Sequence, residues 1–385
     1  MIREAVIVAG VRTPLGRRGG SLSGTRPDDL AATVLRALVE RAGIQPDVVE
    51  DVIMGCVSQS GEQAGDIARQ ATLLAGYPIE VPGTTIDRQC GSSQQAVHFA
   101  AQAILSGDMD VVVAAGVESM SRVPMFSNFQ GAQANDKLTA RFGPFHQGIS
   151  AEKIAQKWGL SRRQLDAYAL SSHTKALHAQ QEGRFKREIV PVEIRMADGT
   201  TSWLTADEGP RPDTTLERLS ALKPAFMENG TIHAGNASQI SDGAAALLIM
   251  SREKAHALGF KPRFRVAARS VVGSDPELML TGPIAATNKV LQKANLPLAS
   301  IDLFEVNEAF APVPLAWLAD TGADSAKLNV CGGAIALGHP IGASGARIMV
   351  TLMHELERTG GRFGLQAICE GYGMANATII ERLDE

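Results

Sequence analysis

The sequence predicts an α/β fold with two similar halves and a long inserted segment. Three observations support this prediction. Short runs rich in Val, Ile and Ala alternate with helical stretches, one loop–helix–strand pattern occurs twice, and the 385 residues are 45% hydrophobic and 20% charged, which is a globular composition. Alternating strands and helices are typical of parallel sheets covered by helices. The 38 glycines, with only 5% aromatic residues, further indicate tight turns and closely packed helices.

Seven apolar runs predict strands, in chain order at residues 5–9, 51–54, 111–115, 244–250, 264–268, 303–306 and 365–369. Between residues 120 and 231 the pattern changes to a Gly-, Phe- and Met-rich stretch, a polar helix over residues 150–182, and a turn-rich segment at residues 210–212. We interpret this region as an insertion that lies over a sheet.

A short internal repeat predicts the two halves. Cys90-Gly-Ser-Ser opens one predicted helix, which leads to the strand at residues 111–115. Gly342-Ala-Ser-Gly opens another, which leads to the strand at residues 365–369. The same order of loop, helix and strand is common in α/β folds, so this pattern favours a duplication without proving it.

Charge and hydropathy exclude several classes of protein. The formal charge is −4, and basic pairs such as Arg17-Arg18 and Arg162-Arg163 are scattered, so we interpret them as solvated faces and expect no nucleic-acid partner. No apolar run approaches the ~18 residues of a membrane span, so we expect no membrane insertion. The first ten residues contain an acidic side chain and are interpreted as a strand rather than a signal peptide.

The four cysteines, Cys56, Cys90, Cys331 and Cys369, form no CxxC pair, and no histidine cluster has metal-ligand spacing. We therefore expect a reduced, cytoplasmic protein without a metal.

Cys90 is the first candidate for chemistry. It lies in the segment DRQCGSSQQA just before a predicted helix, where unpaired backbone N–H groups favour a thiolate. Small neighbours allow a substrate to approach the sulfur closely. The alternative is a buried, inert cysteine.

His339 is the second candidate. Five glycines crowd its loop, NVCGGAIALGHPIGASG, which indicates backbone brought against a ligand. The GxxxxGK[ST] pattern of a nucleotide-binding loop is absent. Gly338 and Pro340 restrict the histidine, which suits a base held in one orientation, although a histidine merely packed in a turn remains the alternative.

Two further candidates follow predicted strands. Cys369 lies at the end of the strand at residues 365–369, and α/β proteins place ligands at the carboxyl edge of the sheet. Asn307, in the tetrapeptide Asn-Glu-Ala-Phe, follows the strand at residues 303–306, and its amide can orient a water or donate to an oxyanion. Disulfide formation by Cys369 is the alternative, which a reducing compartment disfavours.

Taken together, these segments resemble the thiolase family of acyl-CoA acyltransferases along essentially the whole chain. The markers occur in the order VIVAGVRTPLGR, QCGSSQQA, AGNASQISDGAAA, NEAF, NVCGGAIALGHPIGASGAR and a closing C-x-G-x-G. The resemblance implies CoA-dependent cleavage of 3-oxoacyl-CoA to acetyl-CoA and a shortened acyl-CoA, or the reverse Claisen condensation, with ping-pong kinetics through an acyl-Cys90 intermediate.

The resemblance also assigns roles to residues. It implies that Cys90 is the nucleophile, His339 the base that activates it, and Cys369 the second acid and base. Asn307 is implied to hold a water in one oxyanion hole, and the backbone N–H groups of Cys90 and Gly371 to form the other. Further residues are implied to contact the substrate or its CoA part: Arg211, Ser238, Ala309, Phe310, His146, Gln147 and Tyr372.

At the level of the fold, the resemblance implies duplicated αβαβα layers with an inserted loop domain. The expected units are an N-terminal half at residues 1–118 plus 241–262, a loop domain at 119–240 that binds CoA and the acyl group, and a C-terminal half at 263–385. It further implies a homodimer or homotetramer, with CoA and acyl-CoA as substrates and no permanently bound cofactor.

Among the residues that depart from the family pattern, two bear on the substrate. Tyr372 replaces a common glycine beside Cys369, which predicts a narrowed or reshaped acyl pocket unless the ring packs elsewhere. Gln147 stands where short-chain biosynthetic members carry Met, so acetoacetyl-CoA is not assumed to be the substrate. Two other functions remain open. A ketoacyl synthase-like enzyme would use two histidines, whereas this chain has Cys369, and a CoA-thioester scaffold would bind without acylating Cys90.

Overall fold

The computed structural model describes residues 3–196 and 198–384; residues 1, 2, 197 and 385, which fall within the predicted units, lie outside them. The strands are β1 (Ala5–Arg12), β2 (Gly16–Arg17), β3 (Asp51–Gly55), β4 (Gly83–Ile86), β5 (Val111–Ser119), β6 (Val192–Arg195), β7 (Thr201–Leu204), β8 (Ser241–Ser251), β9 (Phe264–Gly273), β10 (Leu303–Val306), β11 (Phe363–Glu370) and β12 (Met374–Arg382). The seven predicted strands are confirmed as β1, β3, β5, β8, β9, β10 and β11.

The α-helices are α1 (Pro27–Ala42), α2 (Ile67–Leu74), α3 (Ser92–Ser106), α4 (Asp136–Phe142), α5 (Gln147–Lys157), α6 (Arg162–Gln181), α7 (Leu216–Ser220), α8 (Arg252–Ala257), α9 (Gly282–Ala294), α10 (Pro312–Thr321) and α11 (Ser344–Thr359). Within the described ranges, no helix combines the length and the apolar character that crossing a membrane requires.

The sheet order confirms the predicted duplication. The main sheet runs β10-β11-β12-β9-β1-β8-β5-β3-β4, with β2 paired to β8. Four strands of the second half, β10-β11-β12-β9, therefore mirror four of the first, β3-β5-β8-β1. The helices α3 and α11 precede the equivalent strands β5 and β11. The halves join where Val6 and Ile7 of β1 pair with Arg265 and Phe264 of β9.

The strand directions differ in part from the parallel sheets expected from the alternation of strands and helices. β3 runs parallel to β4 and β5, and β10 runs parallel to β11, but the pairs formed by β8 and by β12 are antiparallel. Only residues 371–373 separate β11 from β12, and such a short connection permits a hairpin but no crossover. The sheet is therefore mixed.

Helices cover both faces of the central sheet, which explains its continuous apolar strands. On one face, α1 and α2 pack against side chains such as Val6 of β1 and Val113 of β5. On the other face, α3 and α11 pack against Ile7 and Val112, the neighbours of those residues in sequence. Because successive residues of a strand point to opposite faces, each buried strand contributes to two cores.

The region between β5 and β8 carries α4 to α7 and the small β6–β7 hairpin. The single helix predicted at residues 150–182 is wrong: the region forms α5 and α6. Gly159 adopts a left-handed conformation (φ 63°) between them, and Ser161 begins α6 with a capping box closed by Gln164. No observation tests the predicted unit boundaries at residues 118/119, 240/241 and 262/263, which stay predictions.

The first turns of α3 and α11 meet at the centre of the molecule. Ser93 Oγ accepts a hydrogen bond from the backbone N–H of Ala346 at 2.9 Å. A Cβ atom at Gly345 would lie 2.3 Å from the backbone nitrogen of Gln94, so only glycine allows this approach. The contact brings the loops before the two helices, with Cys90 and His339, to one place.

Candidate active site

Cys90 lies in a tight turn between β4 and α3. Gln89 takes up a left-handed backbone conformation (φ 49°), and Ser92 Oγ donates to the Gln89 carbonyl oxygen at 2.6 Å while accepting the N–H of Arg88 at 2.9 Å. Gly91 precedes the helix as its N-cap. These bonds hold the cysteine in one orientation at the start of the helix.

Burial determines the protonation state of the Cys90 thiol in the free protein. It raises the pKa of this thiol well above the ordinary value, and the nearby Cys369 and Glu370 raise it further. A preformed thiolate, which the helix start predicts, is therefore disfavoured in the free protein. The sulfur needs a base at the moment of attack.

His339 has the geometry of such a base. Ser344 Oγ donates to the Pro340 carbonyl oxygen at 2.9 Å, so it accepts the proton on His339 Nδ1, which lies 2.6 Å away. Nε2 then keeps its lone pair. Burial, with a smaller contribution from Arg347, lowers the pKa of His339 to about 3, so the imidazole is neutral at physiological pH.

Asn307 lies beside this imidazole at the end of β10. Its backbone N–H donates to the Ala367 carbonyl oxygen at 3.0 Å, and its Nδ2 donates to His339 Nε2 at 3.3 Å. Among the described residues, the buried Oδ1 has no hydrogen-bond partner. The amide is therefore placed to orient a small polar group, such as a water, next to the histidine.

Cys369 is the last residue but one of β11 and is completely buried. Burial raises the pKa of its thiol to about 12, so it holds a proton at neutral pH. Just beyond it, a Cβ atom at Gly371 would lie 2.8 Å from Gln89 Oε1, which places this glycine against the turn that carries Cys90.

A cavity of about 480 Å³ opens at this centre. Its lining is mainly apolar and contains eight of the predicted site residues: Cys90, His339, Gly371, Gln147, Arg211, Ser238, Ala309 and Phe310. The lining also includes residues not predicted for the site, among them Arg17, Arg18, Met120, Phe226 and Ile341. A mainly apolar cavity with a few polar groups in its lining suits a flexible, largely uncharged ligand arm.

Four predicted site residues do not line this cavity directly. Asn307 and Cys369 lie buried at the centre, as described above. His146 is exposed and packs its ring edge-on against Phe226, which does line the cavity. Tyr372 is 41% exposed, and its ring contacts Phe145 with the centroids 5.0 Å apart. The functional roles of these residues stay predictions.

Arg17 and Arg18 differ from their interpretation as a solvated face. Both are exposed, but both also line the cavity that contains Cys90. This placement arises from the pairing of β2 with β8, a strand that lies more than 200 residues later in the chain. The sequence around Arg17 and Arg18 therefore carries no signal for it.

Two buried carboxylates that the sequence analysis missed support the site. Glu118 accepts the backbone N–H groups of Val57, Ser58 and Gly342, which joins the loop after β3 to the loop of His339. Glu308, next to Asn307, accepts from Tyr168, Ser172 and Asn329 and from the N–H of Ile335. The sequence signals are weak, because Glu118 lies near the end of the apolar strand β5 and Glu308 is the second residue after β10.

The chain is similar to known proteins along almost its whole length. The family model "Thiolase, N-terminal domain" matches residues 5–253, and "Thiolase, C-terminal domain" matches residues 260–382. A steroid 3-ketoacyl-CoA thiolase of Mycobacterium tuberculosis is 48% identical, with 100% of this chain and 95% of the relative aligned. An acetyl-CoA acetyltransferase of Chromobacterium violaceum is 45% identical over 98% of this chain and 100% of the relative.

Among solved structures, the crystal structure of the acetyl-CoA acetyltransferase of Bacillus anthracis superposes with a TM-score of 0.92. It shares 41% sequence identity, and 99% of each chain is covered. Within residues 3–196 and 198–384, no group of three or more His, Cys, Asp or Glu side chains is arranged to hold a metal ion.

Proposed function

Because the chain belongs to the thiolase family, we propose a course for its reaction in which Cys90 carries the acyl group. The reaction is the CoA-dependent cleavage of a 3-oxoacyl-CoA into acetyl-CoA and a shortened acyl-CoA, or the reverse condensation. The protein is thus an acyltransferase whose substrates are CoA thioesters. The proposal concerns which atoms carry out each step.

In the first half-reaction, His339 Nε2 accepts the proton of the Cys90 thiol as the sulfur attacks the 3-oxo carbon. The bond between carbons 2 and 3 then breaks, which leaves an acyl thioester on Cys90 and the enolate of acetyl-CoA. Cys369 gives its proton to the enolate carbon and becomes a thiolate. The neutral imidazole and the protonated Cys369 thiol support this order, because each group begins in the form that the step needs.

In the second half-reaction, the Cys369 thiolate accepts the proton of an incoming CoA thiol. The CoA sulfur attacks the acyl group, and the Cys90 sulfur leaves and recovers its proton from His339. Both thiols and the imidazole return to their starting states. One channel serves the two CoA molecules in turn, so the kinetics are ping-pong.

Negative charge develops on a carbonyl oxygen in each half-reaction. We assign one oxyanion hole to His339 and a water held by Asn307, and the other to the backbone N–H groups of Cys90 and Gly371. A well-placed donor of this kind lowers a barrier by about 2.7–4 kcal/mol. The apolar lining limits the access of water to the acyl-enzyme.

The single observation that carries the proposal is the meeting of residues from distant segments. Cys90, His339 and Gly371 line one cavity, and Asn307 is hydrogen-bonded to His339. We assign Gln147, Ser238, Ala309 and Phe310 to the pantetheine arm and Arg211 to the nucleotide end; all five residues line the same cavity. We assign His146 and Tyr372 to the acyl end.

The test is CoA-dependent loss of 3-oxoacyl-CoA by the purified, reduced protein. The panel contains acetoacetyl-CoA, straight chains of increasing length, 3-oxoadipyl-CoA and a steroid-derived 3-oxoacyl-CoA, since relatives are named for such different substrates. Turnover of at least one substrate, with an acetylated Cys90 peptide after acetyl-CoA treatment, is expected. Binding of acyl-CoA without acylation would instead support a scaffold.

Three further features belong to this proposal. We propose a homodimer or homotetramer, which light scattering after gel filtration tests. We propose a cytoplasmic location, which cell fractionation tests. We also propose that CoA and acyl-CoA are substrates and that no cofactor stays bound, which mass spectrometry of the native protein tests.

A further inference from the structure

Two arginines on a short arm form part of the cavity that has Cys90 at its base. The arm consists of residues 16–18, and Arg17 and Arg18 both line the cavity, together with Arg211 from the inserted region. The rest of the lining contains no aspartate, glutamate or lysine. All the permanent charge on this surface is therefore positive and comes from three guanidinium groups.

The backbone of the arm is firmly held. Gly16 and Arg17 pair with Asp242 and Ser241 of β8, and the N–H of Arg18 donates to the Ile240 carbonyl oxygen at 3.1 Å. These contacts are made by residues 240–242, and Ile240 and the preceding Gln239 also line the cavity. The backbone of the two arginines is therefore held by the start of β8 and by Ile240, the last residue of the segment before β8 that lines the cavity.

Glu208 contacts the arm and Ser21 through hydrogen bonds from backbone N–H groups and a hydroxyl. Glu208 accepts the backbone N–H of Arg17 at 3.1 Å, and it also accepts the N–H and the hydroxyl of Ser21, the latter at 2.6 Å. Its carboxylate is thus occupied in anchoring the backbone of the arm. In the described part of the chain, no carboxylate lies within ion-pair distance of the guanidinium groups of Arg17, Arg18 or Arg211.

We propose that Arg17 and Arg18, together with Arg211, bind the phosphate groups of coenzyme A. This inference rests on the proposed function and adds a recognition site to it. CoA consists of an uncharged pantetheine arm that ends in the thiol and a nucleotide that carries a diphosphate and a 3′-phosphate. With the thiol at Cys90, the arm fills the apolar channel and the phosphates reach the arginines.

The chemistry of the three side chains fits this ligand. The planar guanidinium group presents parallel N–H donors that match two phosphate oxygens, and its charge is permanent. An unpaired cluster of like charges is unfavourable in the free protein, and a bound polyanion relieves that repulsion. The arginines therefore select CoA thioesters over thioesters that end at pantetheine.

The experiment compares two double variants of the full chain. R17A/R18A removes the arm's charges, and R163A/R195A removes two exposed arginines elsewhere, so both lose the same charge. With the best 3-oxoacyl-CoA of the panel, R17A/R18A is expected to raise KM about tenfold and leave kcat unchanged, since each exposed ion pair contributes modestly. The increase should shrink at high salt, because exposed charges are screened.

A second substrate separates recognition from a structural effect. The pantetheine thioester of the same acyl group lacks the nucleotide, so its KM should be the same in R17A/R18A and in wild type. Calorimetry with CoA and with 3′-dephospho-CoA then shows which phosphate the arginines bind. The proposal is supported if R17A/R18A loses affinity for CoA and R163A/R195A does not. This holds whether the arginines bind the diphosphate or the 3′-phosphate.

Two results would overturn it: equal KM and CoA affinity in the two double variants, or an equal rise in KM for the pantetheine thioester. Failure of the proposed function looks different. A wild-type protein that cleaves no substrate of the panel refutes that function, while the calorimetric comparison with CoA still decides the role of the arginines.

Discussion

The hydrogen bond between Ser344 and His339 allows a sharp test of the proposed base. Both side chains are buried, and Ser344 Oγ lies 2.6 Å from Nδ1. Ser344→Ala removes the acceptor of the Nδ1 proton without changing Cys90, Asn307 or the cavity lining. The proton can then stay on Nδ1 without a partner or move to Nε2, where it abolishes the base.

The size of the effect follows from the burial of this bond. A buried donor left without a partner costs about 1–3 kcal/mol. The productive tautomer is the one with the proton on Nδ1, because Nε2 is then free to act as the base. If the lost bond disfavours this tautomer by about 1.4–2.8 kcal/mol, acylation of Cys90 slows about 10- to 100-fold. The free energy of unfolding should fall by a similar amount, because the same bond is lost from the folded state.

The assay is single-turnover acetylation of Cys90 by acetyl-CoA, followed by mass spectrometry. The matched control is Ser270→Ala, which removes a buried serine hydroxyl that donates to the Ala286 carbonyl oxygen at 2.8 Å, far from the site in sequence. It should lose stability but acetylate at the wild-type rate. Ser344→Thr keeps a hydroxyl and should recover much of the rate.

The reasoning would be refuted if Ser344→Ala acetylated Cys90 as fast as Ser270→Ala. It would also be refuted if Ser344→Thr were as slow as Ser344→Ala, because the hydroxyl would then have no part in the effect.

The remaining predictions concern the two cysteines and Tyr372. Cys90→Ala should abolish acyl transfer, and any acylated peptide in this variant would contradict its role. Cys369→Ser should keep part of the acetylation from acetyl-CoA but lose cleavage of 3-oxoacyl-CoA, whereas wild-type cleavage would show that another group protonates the enolate. Because burial raises the pKa of Cys90, alkylation by iodoacetamide should keep accelerating as pH rises through the ordinary thiol value of about 8.5; a plateau near neutral pH would contradict this. Tyr372 has a left-handed backbone conformation (φ 65°), which glycine adopts without strain, so Tyr372→Gly should raise the free energy of unfolding by up to about 1 kcal/mol. The same variant should change the preference for the acyl group. An unchanged substrate profile would show that Tyr372 is not part of the acyl site.

Much of the fold could be predicted because its signals are local. The strands of the central sheet are covered on both faces, so each must be apolar along its whole length, and β1, β5 and β8 are visible as Val-, Ile- and Ala-rich runs. β12 was missed because its run, MANATIIER, is interrupted by polar residues and follows β11 after only three residues. The break between α5 and α6 was missed although Gly159 and Ser161 mark it.

The candidate site shows the same division. Cys90, His339, Asn307 and Cys369 could be chosen from the sequence, because each stands in a distinctive loop or at the end of a predicted strand. The protonation states of these side chains could not be predicted from the sequence. The helix start favours a Cys90 thiolate, but burial dominates and keeps the thiol protonated, and burial depends on the packing of the whole chain.

Residue order along the chain thus established the strands, the two halves and the reactive side chains, since periodicity, apolar runs and loop composition are properties of neighbouring residues. Tertiary structure alone established that Asn307 donates to His339, that Glu118 joins two loops, and that Arg17 lies at the cavity. These relations depend on distances between atoms of segments that meet only after the strands have paired. Such distances are set by packing and have no counterpart in local sequence.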